Sequence, residues 1–256
     1  MLSNIALPMF DDNYLWLLVS PQKNIIAIDV GDYALLMNYL QAHQLTLTTV
    51  LITHRHQDHT NGLAELRAKH PLVPVYGHNS IAHITHTLTG GEILNIKGFG
   101  RFLVLDTKGH TQYHLAYYHL QQKLLYCGDS LFSGGCGRIF PDGCAENAYH
   151  SLQKISLLPQ DTQVCGSHEY TLDNLAFAQH IEPHNLDLSH YRQHCQQLRQ
   201  QNLATLPTTL ATEKRINPFL RCHLLEAKVA CLTQEATLTP IQTFCALRRY
   251  KGQWVA

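Results

Sequence analysis

With 256 residues and 45% hydrophobic content, the chain is long enough for one large domain or two modest ones around a buried core. Lys+Arg and Asp+Glu are 19 each, so no overall field favours nucleic acid or an anionic membrane. No early segment has a basic start and an apolar core, and no apolar run is long enough to span a bilayer, so a cytoplasmic protein with no membrane or nucleic-acid partner is expected.

The first 30 residues give two apolar segments, Tyr14–Val19 and Asn24–Asp29, with Ser20-Pro21-Gln22-Lys23 between them as a hairpin turn. Tyr33–His43 has apolar residues at 35, 36 and 40 and predicts a helix. Val50-Leu51-Ile52 reads as a short buried strand, and the polar stretch Thr53–His59 as the loop at its end. Asn61–His70 predicts a helix and Val73–Tyr76 a short strand. His78, His83 and His86 follow in a polar stretch without a carboxylate and read as surface histidines. Phe102–Leu105, Tyr113–Leu120, Leu124–Cys127 and Thr162–Cys165 predict strands, and Ala145–Leu158 a helix stopped by Pro159. Beyond His168 the character changes to helices over Leu172–Ile181, Leu188–Gln201 and about Pro240–Lys251. The boundary near residue 167 separates a strand-rich α/β part, 1–167, from a mostly helical part, 168–256.

Eighteen histidines are the anomaly of the composition. Four potential metal ligands lie within six residues: His54, His56, Asp58 and His59. His54 and His56 are two apart, so in an extended loop their rings point the same way and suit one ion. Asp58 and His59 are adjacent, so their side chains are expected to diverge from each other and serve a second ion. Three further strand ends carry His110, Asp129 and His168. Taken singly, His110 or His168 is more often a hydrogen-bonded structural residue. Three imidazoles and a carboxylate at one strand end, in contrast, are costly to pack without a cation. Imidazole and carboxylate select zinc, manganese or iron over a thiolate-loving ion. Asp129 is the candidate bridge between two ions. The eight cysteines form no Cys-x-x-Cys pair, and reduced thiols are expected. Ser133-Gly134-Gly135-Cys136-Gly137-Arg138 is glycine-rich but lacks the Gly-Lys-Thr ending of a nucleotide loop.

Thr53-His54-Arg55-His56-Gln57-Asp58-His59 resembles the metal-binding signature of the metallo-β-lactamase superfamily. Gly109-His110-Thr111, Gly128-Asp129-Ser130 and His168 resemble its remaining ligand motifs, in the right order. The resemblance implies an αββα sandwich with the site at one edge of two sheets. Asp11–Tyr14, Leu131–Arg138, His168–Leu175, Asn217–Arg221 and Leu247–Lys251 are similar to segments of the hydroxyacylglutathione hydrolase (glyoxalase II) family, over essentially the whole chain. That resemblance implies His54, His56 and His110 on a first metal, and Asp58, His59 and His168 on a second, with Asp129 bridging. It implies that Arg138, Tyr170, Asn174, Arg248 and Lys251 hold glutathione. Arg248 and Lys251 are three apart on a predicted helix and share a face; a solvated basic helix end is the plainer reading of that pair.

The implied reaction is hydrolysis of S-(R)-lactoylglutathione, an S-(2-hydroxyacyl)glutathione, to glutathione and D-lactate by metal-bound hydroxide, a step in methylglyoxal detoxification. Two divalent ions, zinc first, would supply the hydroxide, with Asp58 and Asp129 positioning metal and nucleophile. Asp29, at the end of a neighbouring strand, is placed to hold a ligand histidine from behind. Cys136 is assigned no nucleophilic role. The enzyme is expected to act as a monomer on a small-molecule thioester. The alternatives are a one-iron glutathione persulfide dioxygenase on the same scaffold, a hydrolase of a lactone or β-lactam, and a non-catalytic zinc-binding protein. The chain departs from its relatives at Lys108, Phe140 and Pro141-Asp142-Gly143-Cys144, which bears on affinity rather than on the ligand set.

Overall fold

The computed structural model describes residues 1–254. The chain folds as two compact units, one of Met1–Asp106 and Tyr113–Gly128, the other of Thr107–Gln112 and everything from Asp129 on.

The first unit holds a sheet in the order β1 (Ser3–Met9), β2 (Asn13–Val19), β3 (Asn24–Ile28), β4 (Thr46–Leu51), β5 (Val75–Gly77) and β6 (His86–Thr87). β2 and β3 are continuous apolar runs and are buried along almost their whole length, as strands covered on both faces must be. Between them the chain turns at Lys23, in the left-handed region at φ 62°. β1 was missed in the sequence because Pro8 interrupts it. It is the edge strand, where a missing N–H costs little. β3 and β4 are parallel and joined through α1 (Tyr33–His43). Asp32 caps α1, its carboxylate accepting from Leu35 N at 2.9 Å. Such a crossover leaves the ends of β3 and β4 side by side at one edge of the sheet, where α/β proteins place their sites.

Where the sequence predicted a loop through His59, Gln57–Thr60 forms a helical turn, α2, followed by α3 (Leu63–Lys69). The Thr60 hydroxyl donates to the His56 carbonyl at 2.9 Å and the Asn61 N–H to that of Gln57 at 2.7 Å, which closes the turn. The same unit carries an antiparallel run of β7 (Ile93–Ile96), β8 (Gly100–Asp106), β9 (Leu115–His119) and β10 (Leu124–Gly128). β7 was also missed, since Ile93-Leu94-Asn95-Ile96 is a run of only four residues between glycine-containing turns. The core of the unit includes Leu15, Leu17, Ile25, Leu36, Val50 and Ile52.

The second unit contains α4 (Ala145–Ser156), the antiparallel pair β11 (Gln163–Gly166) and β12 (Thr208–Thr209), and helices α5 (Thr171–Ile181), α6 (Leu186–Gln200), α7 (Leu210–Ile216), α8 (Cys222–Thr233) and α9 (Pro240–Gln253). α7, α8 and β12 fall where the sequence was read as links. A 3-10 turn, Pro218–Leu220, buries Phe219 completely beside Phe177 and Phe244. Burying one such ring contributes about 1.5–3 kcal/mol. α9 begins with a capping box at Thr239 and Gln242 and has Pro240 in its first turn.

Candidate functional site

In the first unit the site grows from the ends of β3 and β4. Asp29 follows β3 with φ 60°, a left-handed conformation uncommon for a non-glycine residue. Its buried carboxylate accepts from Thr53 N and Thr53 Oγ1, each at 2.8 Å, and from His59 Nδ1 at 2.9 Å. The Thr53 hydroxyl proton is therefore committed to Asp29. Its oxygen, 3.0 Å from His54 Nδ1, accepts from that nitrogen. Both histidines thus carry the proton on Nδ1 and present the Nε2 lone pair, the tautomer a metal needs. Asp29 thus lies behind one candidate ligand, His59, directly, and behind a second, His54, through Thr53.

His54 Nε2 lies 2.9 Å from His56 Nδ1, so these rings do converge. Asp58 and His59 differ from expectation. They do not diverge: Asp58 Oδ2 is 3.2 Å from His59 Nε2. The expectation assumed an extended loop, whereas α2 turns adjacent residues by about 100° and lets their tips meet. Asn13 Nδ2 donates to the same Asp58 oxygen at 2.9 Å, a contact with no mark in the sequence beyond its place in Asp11–Tyr14. Gly31 is required here, because a Cβ would sit 2.0 Å from the Asp58 carbonyl oxygen.

In the second unit Asp129 stands between two imidazoles. His110 Nε2 is 3.4 Å from Oδ2, and His168 Nε2 is 3.4 Å from Oδ1. One carboxylate thus offers one oxygen to each ring, the disposition of a bridge. His110 Nδ1 donates to the Arg138 carbonyl at 2.6 Å, which again makes Nε2 the unprotonated nitrogen. Tyr170 stacks on His168 with centroids 4.6 Å apart and planes 6° apart. Phe140 packs edge-on against His110. Gly137 lets the loop pass close by: a Cβ there would meet Asp129 O at 2.0 Å and His110 Nδ1 at 2.9 Å. Within each unit the imidazoles and carboxylates are nitrogen and oxygen donors of the kind that suits divalent ions.

A cavity of about 550 Å³ in the second unit is lined by Arg138, Ile139, Glu146, Cys245 and Arg248, among others. Arg248 Nη1 donates to the Cys136 carbonyl at 3.0 Å, and its guanidinium lies 5.4 Å from the centre of the Phe219 ring. Lys251 is not a solvated helix end. Its ammonium lies over Phe177 and Phe219 and donates to Asn174 Oδ1. Burial, and then the neighbouring Arg248, lower its pKa to about 7. Asn174 is buried, and its Nδ2 donates to the Ser133 carbonyl at 3.1 Å. Of the five residues predicted for glutathione, Arg138 and Arg248 share the cavity, Lys251 and Asn174 pair with each other, and Tyr170 covers His168. Burial pushes the Cys136 thiol up, which argues against a nucleophilic role. Sequence reasoning missed Glu213 altogether. It gave Asn217 no role, although that residue opens the family-like segment Asn217–Arg221.

An α/β chain with strand-end histidines on this pattern defines the metallo-beta-lactamase class, and the model of the metallo-beta-lactamase superfamily matches residues 19–168. The model described as hydroxyacylglutathione hydrolase C-terminus matches 169–254. A hydroxyacylglutathione hydrolase of Aliivibrio salmonicida is 41% identical over 97% of this chain and 98% of its own. One of Vibrio cholerae serotype O1 is 42% identical over 99% of this chain and 100% of its own. The crystal structure of BLEG-1 B3 metallo-beta-lactamase is 25% identical, covering 86% of this chain and 99% of its own, with a TM-score of 0.65. The chain belongs to the hydroxyacylglutathione hydrolase family of that superfamily, as its sequence motifs implied. Among the described residues no helix is long and apolar enough to cross a membrane.

Proposed function

We propose that this chain is a thioesterase that hydrolyses S-(2-hydroxyacyl)glutathione, with S-(R)-lactoylglutathione as the principal substrate, to glutathione and D-lactate. The observation that carries the reading is Asp129, with one oxygen toward His110 and the other toward His168. His54, His56, His110 and Asp129 would hold one divalent ion; Asp58, His59 and His168 would hold the second, with Asp129 shared. Zinc is the first expectation, and the donors also accept iron or manganese. Divalent ions held there would supply a water acidified toward neutral pKa and a Lewis acid for the thioester carbonyl.

The rest falls to the protein's own groups. Arg138 and Arg248, facing one cavity, meet glutathione carboxylates by charge-assisted hydrogen bonds. Lys251 adds a cation beside Arg248. Thr53, itself held by Asp29, Asp29 directly and the Arg138 carbonyl keep the protons of His54, His59 and His110, respectively, on Nδ1 through their hydrogen bonds. Residues 1–167 then form the catalytic module and 168–256 the helical glutathione-binding module, a division supported by family segments that meet at 168 and 169. We place the enzyme in the cytoplasm as a monomer; its eight cysteines, none disulfide-bonded, suit a reducing compartment.

The test is turnover of S-D-lactoylglutathione under strict anaerobiosis, with metal analysis of the same sample. Thiol release without oxygen is expected. A sample with two ions per chain and no thioester turnover would overturn the reading, and an absolute requirement for oxygen would favour the persulfide dioxygenase.

A further inference from the structure

The turn that follows Asp129 is held by a carboxylate the reaction itself does not use. Glu213, on α7, has no solvent exposure. Its Oε1 accepts from Ser133 Oγ at 3.0 Å. Its Oε2 accepts from Gly134 N at 2.9 Å and from Asn217 Nδ2 at 3.0 Å. The Asn217 amide also donates to the carbonyls of Phe132 at 3.2 Å and Gly135 at 2.9 Å. These are the two residues whose mutual backbone bonds close the turn. The Ser133 hydroxyl, which donates to Glu213, lies 3.1 Å from the hydroxyl of Tyr191, whose proton it accepts. Every group on Glu213 is thus a donor, which suits a carboxylate, although burial outweighs these hydrogen bonds and raises its pKa.

The turn is short of slack on both sides. Gly134 has φ 68°, and a Cβ on Gly135 would meet the Asn174 side chain at 2.6 Å. Three residues on, Gly137 packs against Asp129 and His110, and Arg138 turns its carbonyl to His110 Nδ1. Arg138 also lines the 550 Å³ cavity.

We propose that Glu213 is a positioning residue for the metal centre and the substrate arm together: through Gly134, Ser133 and Asn217 it fixes the turn that sets both the Arg138 carbonyl on His110 and the place of Arg138 at the cavity. The substrate half rests on the glutathione reading above; the metal half does not.

Glu213→Leu, Glu213→Asp and Glu213→Gln separate this role from simple stabilisation. Gln keeps an oxygen for Gly134 and Asn217, and its amide donates to Ser133 once that hydroxyl reverses to donate to the Tyr191 oxygen. Asp keeps the charge but falls one methylene short. Each metal-loaded variant is challenged with a chelator well below its unfolding midpoint, and KM for a glutathione thioester is measured beside kcat. In Leu and Asp, metal loss about tenfold faster and KM raised about tenfold are expected, the range for removing an outer partner of a ligand histidine. Gln should stay within about threefold of wild type. A role confined to stability would lower the melting temperature and leave both readouts unchanged at the lower temperature, and that result in a folded Leu or Asp variant overturns the proposal. The Asp variant decides if Leu does not fold. A wild type without thioester turnover would sink the glutathione reading, while the chelator comparison would still decide the role of Glu213.

Discussion

The two units assemble their ligands in different ways. In the first, four candidates arise within six residues of one another, and a single buried carboxylate, Asp29, fixes two of the rings by direct or one-step contact. In the second, His110, Asp129 and His168 come from three separate segments. Their register is set by a backbone carbonyl, glycines that allow close approach, and a buried carboxylate, Glu213, some eighty positions from the turn it holds. A local cluster needs one anchor, whereas a dispersed one depends on every segment that delivers a ligand. The first half-site should therefore fail through its anchor, and the second through its shared ligand or through the turn.

Asp129→Ala is the severest test of that contrast. Losing the oxygen offered to each of two imidazoles should lower kcat/KM for the thioester about a thousandfold, at several kcal/mol of lost charge stabilisation. Metal content should fall with it. Turnover undiminished in this variant would remove Asp129 from the bridging role. Asp29→Ala leaves all seven candidate ligands in place but frees Thr53 and His59 from their common acceptor. Metal affinity should drop about 10–100-fold, measured by competition with a chromophoric chelator. An affinity equal to wild type would show that the first half-site does not depend on one anchor.

Lys251→Met is expected to act chiefly on substrate binding. Loss of a charge-assisted contact of about 1.5–3 kcal/mol should raise KM about 10–100-fold with metal content unchanged. Equal losses in metal and KM would contradict the separation of the two functions. The smallest effect expected is on pH dependence. Lys251 is held down to about 7 by burial and by Arg248, so its cation is present below that pH and lost above it. Affinity for the glutathione carboxylates is then full below about pH 7 and weakens as pH rises through it. Substrate binding takes up a proton in the same window, which calorimetry in two buffers detects. Lys251→Met should flatten the profile.

The strongly apolar strands were legible because β2, β3 and β4 carry runs that fit no other element, and the long helices because their apolar positions recur at helical spacing. The seven ligand candidates were legible because His and Asp gathered at strand ends are costly to bury without a cation to share. Short or interrupted elements, and those within stretches read as links, were not. β1 contains a proline, β7 has only four residues, β12 has two residues, and α7 and α8 lie in a stretch read as polar links.

The sequence by itself determined the family, the α/β class and the identity of the chemical groups, because residue type and order are local facts that survive any packing. The tertiary structure alone decided how those groups are held. Asp58 and His59 converge because a helical turn replaced a loop. Lys251 is a shielded cation because α9 packs on Phe177 and Phe219. Glu213, silent in the sequence, became the fixed point of the Phe132–Gly135 turn. Each of these depends on contacts between residues distant in the chain, or on a backbone conformation that such contacts select, and periodicity along one segment carries no information about either.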